Sequence, residues 1–327
     1  MPRRPVLTSL LILSALGIAF GLFVDRRADL REAEIEARFP PEGEIVKVDG
    51  RDVHVLIRGD GGPDLVLVHG AGANVRDMTS SIVDELAKRY RVFVVDRPGH
   101  GWTEVSPDLS GVLVSDGESP LSQARILSKA VQQLGAEKPI VMGHSFGGAV
   151  AMAWALEAEV SALAIISGVT LPWPGEIDIS YRVLGSKLGG ALLPPLGAAF
   201  VPNSYIRDVL DSTFAPQTVP EDYIQRSGVP LAVRTQTLRA NNRQVNTLRP
   251  KVVEQSTRYE EITVPIEILH GTADKTVYPE IHATPLAERL SNVAVTLVEG
   301  MGHMPHHVIP DDVIATIDRA AARAGLR

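Results

Sequence analysis

The sequence predicts an α/β protein: a mostly parallel, doubly wound sheet with helices on both faces and a helical cap inserted late in the chain. Three observations carry this. From residue 44 onward, short β-branched runs bounded by Gly, Asp or Pro alternate with helical stretches. Most of the runs are apolar throughout, as strands covered on both faces are. Between Thr170 and Thr263 the alternation stops, in a stretch rich in Pro, Gly and aromatic residues with no convincing strand pattern.

Composition bounds the function. A chain of 327 residues, 45% apolar and 22% charged, buries a large core and is neither a disordered tail nor a stapled mini-protein. The absence of Cys excludes disulfides, thiol nucleophiles and thiolate metal sites together. A net charge of −7 argues against a phosphate backbone as the main partner, so no nucleic acid is expected.

Residues 1–40 form a separate object. Pro5 to Val24 is a run of 20 residues without a charge, flanked by Arg3 and Arg4 and by Asp25, Arg26 and Arg27. That length just spans a bilayer core of about 30 Å as a helix. A cleaved signal peptide is the rival, with Ala15, Gly17 and Ala19 offering small residues for a cleavage site. The run continues past them to Val24, which favours a single-pass anchor holding the chain to a lipid bilayer through residues 5–24. Arginines on both flanks leave the positive-inside count unresolved, and the reading adopted is an extracytoplasmic body. Gly17 and Gly21 make one GxxxG spacing, common enough in membrane helices to carry no assignment. Asp25 to Ala37, rich in Arg, Glu and Ala, is expected to be a helical stalk ending at Pro40-Pro41.

The body then reads in order. Ile45–Val48 and Val53–Arg58, joined through Asp49-Gly50, predict an antiparallel hairpin. Leu65–His69, Arg91–Val95, Pro139–Met142, Ala162–Val169, Ile266–His270 and Ala294–Glu299 predict strands. Helices are expected over Val75–Tyr90, Leu121–Leu134, Gly147–Glu157, Glu280–Leu290 and Asp311–Arg323. The core is thus expected over 41–169 and 264–327, with 170–263 as a cap over the carboxyl edge of the sheet. Within the latter, Arg226 to Arg258 hold six Arg and one Lys against one acid, Glu254. A solvated helix face is the expected reading, an anionic ligand or lipid surface the alternative.

Gly143-His144-Ser145-Phe146-Gly147 follows a predicted strand and opens a predicted helix, the context a G-x-S-x-G nucleophile elbow requires. The serine must sit strained on a tight turn, so positions two before and two after cannot carry bulk; Gly143, Gly147 and Gly148 supply that room. A serine alcohol needs a base to take its proton and a third group to orient the base. Candidates follow two later strands, Asp274 in Gly271-Thr272-Ala273-Asp274 and His303 in Gly300-Met301-Gly302-His303.

In this order and context, with Leu67-Val68-His69-Gly70-Ala71-Gly72, Asp96-Arg97-Pro98-Gly99-His100-Gly101 and Gly302-His303-Met304-Pro305, the chain resembles the α/β-hydrolase superfamily from Glu44 onward, apart from the cap. The resemblance implies that Ser145 is the nucleophile, His303 the general base and then acid, and Asp274 the carboxylate that holds the imidazole tautomer. It further implies an oxyanion hole of the backbone N–H groups of Ala71 and Phe146.

Competing roles are weighed on the same residues. His306 and His307 rival His303, whose Gly302-His303 context is favoured. The His-x-x-His-His run lacks a matching carboxylate in sequence, so no metal is expected. Asp178 is less suited than Asp274, and His69, Asp96 and His100 are expected to brace loops, with His144 directed at the edge of the sheet. Val75 and Glu104 occupy the third-glycine positions of the two Gly-rich loops, so no dinucleotide or other cofactor is expected. A serine in place of a carboxylate argues against alkyl-enzyme chemistry. The expected activity is hydrolysis of a carboxylic ester or related acyl compound with a hydrophobic acyl group. Alternatives are a carbon–carbon bond hydrolase of β-diketone-type products, a perhydrolase or haloperoxidase-like enzyme, and a catalytically silent binding protein on the same fold.

Overall fold

The computed structural model describes residues 4–327, with side chains from residue 8 onward. Arg3 and the side chains of Arg4 and Pro5, part of the expected anchor and its basic flank, lie outside the described residues. Eight strands form one sheet: β1 (Glu44–Val48), β2 (Arg51–Arg58), β3 (Asp64–Val68), β4 (Arg91–Val95), β5 (Ile140–His144), β6 (Ala162–Ile166), β7 (Ile266–Gly271) and β8 (Val293–Val298). Their spatial order is β1-β2-β4-β3-β5-β6-β7-β8, antiparallel at β1–β2 and β2–β4 and parallel thereafter. The first hairpin turns at Asp49 and Gly50, both at positive φ, with Val48 opposite Arg51. Two left-handed residues match the twist of the strands they join.

Alternation along the parallel strands sorts side chains into two cores. Val66, Val68, Val141, Leu163 and Ile165 pack on one face, and Leu65, Leu67, Met142, Ala164 and Ile166 on the other. The helices that cover these faces, numbered from the amino-terminal helix α1 (Arg4–Arg38), are α2 (Val75–Thr79), α3 (Val83–Leu86), α4 (Pro120–Gln133), α5 (Phe146–Glu157) and, after β7, α12 to α15 (Pro279–His282, Thr284–Arg289, Pro305–Val308 and Pro310–Arg323).

Two expected helices are each broken. Instead of one helix over Val75–Tyr90 there are α2 and α3, because the Ser80 and Ser81 hydroxyls donate to the carbonyls of Asp77 and Met78 and end the first piece. The helix expected over Glu280–Leu290 splits into α12 and α13, where Pro285 cannot donate an N–H.

Between β6 and β7 the regular structure is helical, separated by irregular stretches at 167–178 and 215–222: α6 (Ile179–Leu184), α7 (Lys187–Phe200), α8 (Asn203–Phe214), α9 (Tyr223–Arg226), α10 (Thr235–Asn246) and α11 (Leu248–Ser256), with short 3₁₀ turns at 229–233 and 259–261. The anchor and stalk read from sequence are one uninterrupted helix, α1, of 35 residues. From Leu10 to Phe23 its large apolar side chains are exposed, and it is the one helix among the described residues long and apolar enough to cross a bilayer. Past Phe23 it packs on the 170–263 segment. Val24 and Ala28 meet Ala198 and Ala199, Ile35 and Phe39 meet Leu231 and Val233, and Arg27 and Arg31 donate to the carbonyls of Ala199 and Ala198 at 3.0 Å.

Candidate active site

The strand order reverses at β3 and β5: from β3 the chain crosses to β4 on one side and later returns to β5 on the other. Loops leaving neighbouring strands in opposite directions open a crevice at the carboxyl edge, where ligands of such sheets bind. His69-Gly70-Ala71 leaves β3 there, and Ser145 leaves β5.

Ser145 has φ 53° and ψ −119°, a strained conformation for a residue with a side chain. The surroundings enforce it. A Cβ on Gly143 would lie 2.2 Å from the Gly147 carbonyl oxygen, and one on Gly147 would lie 2.3 Å from the Val68 carbonyl oxygen. Backbone bonds clamp the turn, with Ser145 N–H donating to Ile166 O at 3.1 Å and Ser145 O accepting from Gly148 and Val169 at 2.9 Å. Gly147→Ala is therefore expected to cost at least about 2 kcal/mol, the scale of overpacking against immovable backbone. A fall in the urea midpoint with an unchanged slope would report it.

The hydroxyl of Ser145 donates to His303 Nε2 at 2.9 Å, and His303 Nδ1 donates to Asp274 Oδ2 at 2.8 Å. Thr276 and Val277 N–H both donate to Asp274 Oδ1 at 2.9 Å, so the second carboxylate oxygen is left for imidazole. His270 Nε2 lies 2.7 Å from the Val277 carbonyl and 3.2 Å from Asp274 Oδ2. Burial alone raises the Asp274 pKa, but the His270 and His303 hydrogen bonds and the Val277 N–H outweigh it and hold the carboxyl well below its ordinary range. The three side chains picked out in the sequence are thus brought into one hydrogen-bonded chain, at least nine-tenths buried. Ala71 and Phe146 share a cavity wall with Ser145.

That cavity holds about 380 Å³ and is lined by Trp173, Ile177, Tyr181, Val245, Leu248 and Ile281 around the serine. Its lining includes two carboxylates, Glu176 and Asp178, and, among the described residues, no Lys or Arg. Asp178 also accepts from Ser180 N–H at 2.8 Å and caps α6. The Arg-rich stretch is used elsewhere. Arg243 holds the carbonyls of Leu109, Gly111 and Val112, Arg234 pairs with Glu36 of α1, and Arg249 donates to the Trp173 carbonyl.

Other histidines settle into supporting places. His69 Nδ1 donates to the Gly70 carbonyl at 2.8 Å while its Nε2 accepts from Arg97 N–H at 3.0 Å. Asp96 accepts from Val75 and Trp102 N–H and from His54 Nδ1. His144 donates through Nε2 to the His303 carbonyl at 2.9 Å, so it points at the loop carrying His303 rather than at open sheet edge. His306 and His307 do acquire the carboxylate that their sequence neighbourhood lacks. Asp77 Oδ2 lies 3.1 Å from His306 Nε2, and Asp77 Oδ1 lies 2.9 Å from His307 Nε2 and accepts from the Tyr223 hydroxyl at 2.8 Å. Ligand atoms of Asp77, His306 and His307 lie within 4.8 Å of one another, yet His306 Nδ1 is buried without an acceptor. A metal-ligating imidazole normally donates its other N–H to a partner, so this cluster fits a hydrogen-bonded brace better than a metal centre. Nothing near Asp77 in the sequence announces that role. Arg97 is wholly buried within Asp96-Arg97-Pro98-Gly99-His100-Gly101, and no local sequence pattern announces that burial either.

A doubly wound sheet with a strained serine at its switch point defines the hydrolase class of α/β architecture. The chain belongs to the alpha/beta hydrolase family, whose model matches residues 65–316. An uncharacterized protein of Mycobacterium tuberculosis is 26% identical over 307 residues, covering 90% of this chain and 85% of that one. Among solved structures, an epoxide hydrolase superposes with a TM-score of 0.68 at 22% identity, covering 87% of this chain and 99% of its own. A membrane phospholipase A described as a bacterial virulence factor gives 0.64 at 21% identity, over 98% of this chain and 99% of that one.

Proposed function

We propose that the protein is a membrane-anchored serine hydrolase of carboxylic esters with an uncharged, apolar acyl group. The observation that carries this is the unbroken hydrogen-bonded sequence from Ser145 Oγ through His303 to Asp274 at 2.9 and 2.8 Å. His303 takes the serine proton as Oγ attacks the ester carbonyl, and the carbonyl electrons move onto oxygen. Ala71 and Phe146 N–H stabilise that oxyanion. His303 then gives the proton to the departing alcohol as the C–O bond breaks, leaving an acyl-serine. Water repeats the sequence, its proton passing to His303 and on to Ser145, and the acid is released. Asp274 stays ionised throughout and fixes the Nδ1–H tautomer.

The cavity supports the substrate class, since its size suits a small apolar group and its described lining offers no Lys or Arg to a carboxylate. That weighs against carbon–carbon cleavage of dienone acids, whose carboxylate would lack a partner. The epoxide-hydrolase likeness extends to the fold, whereas alkyl-enzyme chemistry needs a carboxylate where Ser145 stands. The exposed apolar length of α1 supports the anchor, and the 170–263 helices over the cavity act as its cap. The likeness to the membrane phospholipase A spans 98% of this chain and so includes part of α1.

The test is labelling of the full chain in detergent micelles with a fluorophosphonate, followed by p-nitrophenyl esters of graded length beside a dienone acid. Labelling that disappears in Ser145→Ala, with turnover of esters, is expected. An unlabelled wild type, or turnover of the dienone alone, would overturn the reading.

A further inference from the structure

The loop after β4 contains a cation without a counter-charge. Arg97 is fully buried, and among the described residues no carboxylate comes within 4.0 Å of its guanidinium. Its Nη1 donates to Gln123 Oε1 at 3.1 Å and Gln244 Oε1 at 2.9 Å, and its Nε has no partner. Burial pulls its pKa down to about 9, which still leaves it charged at neutral pH. A desolvated, unpaired charge is among the most destabilising features a core can contain. It calls for a reason.

The remaining contacts supply one. Nη2, which also lies 3.3 Å from His100 Nε2, donates to the Gly70 carbonyl oxygen at 3.0 Å, the oxygen that also accepts from His69 Nδ1 at 2.8 Å. That carbonyl and the Ala71 N–H are the two ends of one planar trans peptide, so holding the oxygen aims the N–H the opposite way. Donation to a carbonyl also polarises its amide, strengthening the N–H as a donor. On its other side the guanidinium carbon lies 4.1 Å from the ring centroid of Phe146, the residue that would offer the second N–H. Gly70 itself packs against the nucleophile: a Cβ there would lie 3.1 Å from Ser145 Cβ.

We propose that Arg97 is the positioning residue of the oxyanion hole, fixing the Gly70-Ala71 peptide and the Phe146 ring from behind and placing its charge where negative charge develops during acyl transfer. The inference rests on the serine-hydrolase reading above. A neutral ester draws little on that charge; the tetrahedral oxyanion draws on it fully, so Arg97 acts on kcat and not on KM.

Arg97→Met, Arg97→Lys and Gln123→Glu test it, each assayed as full-length protein for kcat, KM, thermal midpoint and inhibition by a trifluoromethyl ketone. Loss of one preorganised donor costs about 10²- to 10³-fold in kcat, and Arg97→Met is expected to fall in that range with KM within about threefold. Lys, which restores charge without the fork, should recover part of the loss. Gln123→Glu supplies the missing carboxylate but gives up the Nε2 donation to the Glu118 carbonyl, so whatever the net shift of its thermal midpoint it should lower kcat about tenfold and weaken the ketone in proportion. This variant keeps the test open should both Arg97 replacements fail to fold. An active wild type whose Arg97→Met and Gln123→Glu variants change only the thermal midpoint, with kcat and ketone inhibition intact, would make Arg97 purely structural. A wild type that is not labelled by fluorophosphonate would instead remove the hydrolase reading beneath it.

Discussion

Asp274→Asn is expected to lower kcat by about 10⁴-fold while leaving the fold intact. The direction follows from how the carboxylate is held. Thr276 and Val277 N–H donate to Oδ1, so an asparagine must place its carbonyl there and its NH₂ where Oδ2 stood. That NH₂ faces His303 Nδ1, now 2.8 Å from Oδ2, and becomes a donor to it. The imidazole then carries its proton on Nε2, facing Ser145 Oγ, and has no lone pair to take the serine proton. The His270 N–H beside Oδ2 meets a second donor, which adds local strain. Turnover of a p-nitrophenyl ester by the folded variant, its fold checked by thermal melting, measures the loss. Combining Asp274→Asn with Ser145→Ala should add little, since the residues act as a unit. A drop of less than tenfold would remove Asp274 from its proposed role.

Stability should fall by several kcal/mol between pH 7 and pH 5. Five buried histidines have depressed pKa values: His69, His282 and His306 lie at about 4, and His100 and His144 well below their ordinary value. Burial is the first cause in each, and neighbouring cations or imidazoles add to it: Arg97 for His69 and His100, His306 for His144, His307 for His306 and His270 for His282.

The sign follows from proton counts. Below about pH 6.5 the unfolded chain protonates these rings while the native state does not, so unfolding takes up protons and stability drops as pH falls. Each ring contributes up to about 1.4 kcal/mol per pH unit from about 6.5 down toward its native value. His54 opposes them only above that window: burial lowers its pKa but Asp96 raises it further, so its contribution grows as pH falls through the raised value and is fully present, without further change, below about 6.5. Asp77, Asp96 and Asp274, all depressed, add further loss below the ordinary carboxylate range. Urea unfolding at pH 7, 6 and 5 measures the slope, and a flat free energy over that interval would contradict it.

Much of this was legible in the sequence because strand and elbow signals are local. β-branched runs and their Gly or Asp boundaries locate the strands, and G-x-S-x-G with its flanking strand and helix locates the serine. Asp274 and His303 could be found because each follows a strand end, where such sheets gather chemistry. What stayed hidden depends on contacts across the fold. Asp77 meets His306 and His307 from more than 220 residues away, and no periodicity encodes that. Arg97 stands in a motif, yet its unpaired state depends on Gln123 and Gln244, which the chain brings from α4 and α10. The break between α2 and α3 was written in Ser80-Ser81, but a pair of serines ends a helix only when their hydroxyls turn back onto its carbonyls. The docking of α1 on α7 rests on small side chains, Ala28 against Ala198 and Ala199, which read as ordinary helix formers until two helices meet.

The lining of the cavity also bears on how a turnover ends. An ester of the proposed class would enter neutral and leave as an anion. The acid so formed would find, among the described residues, no Lys or Arg on the wall and two carboxylates, Glu176 and Asp178, along it. Having lost its neutrality beside two carboxylates, such a product would be held less well than the molecule it came from, and its departure into water would be favoured by charge alone.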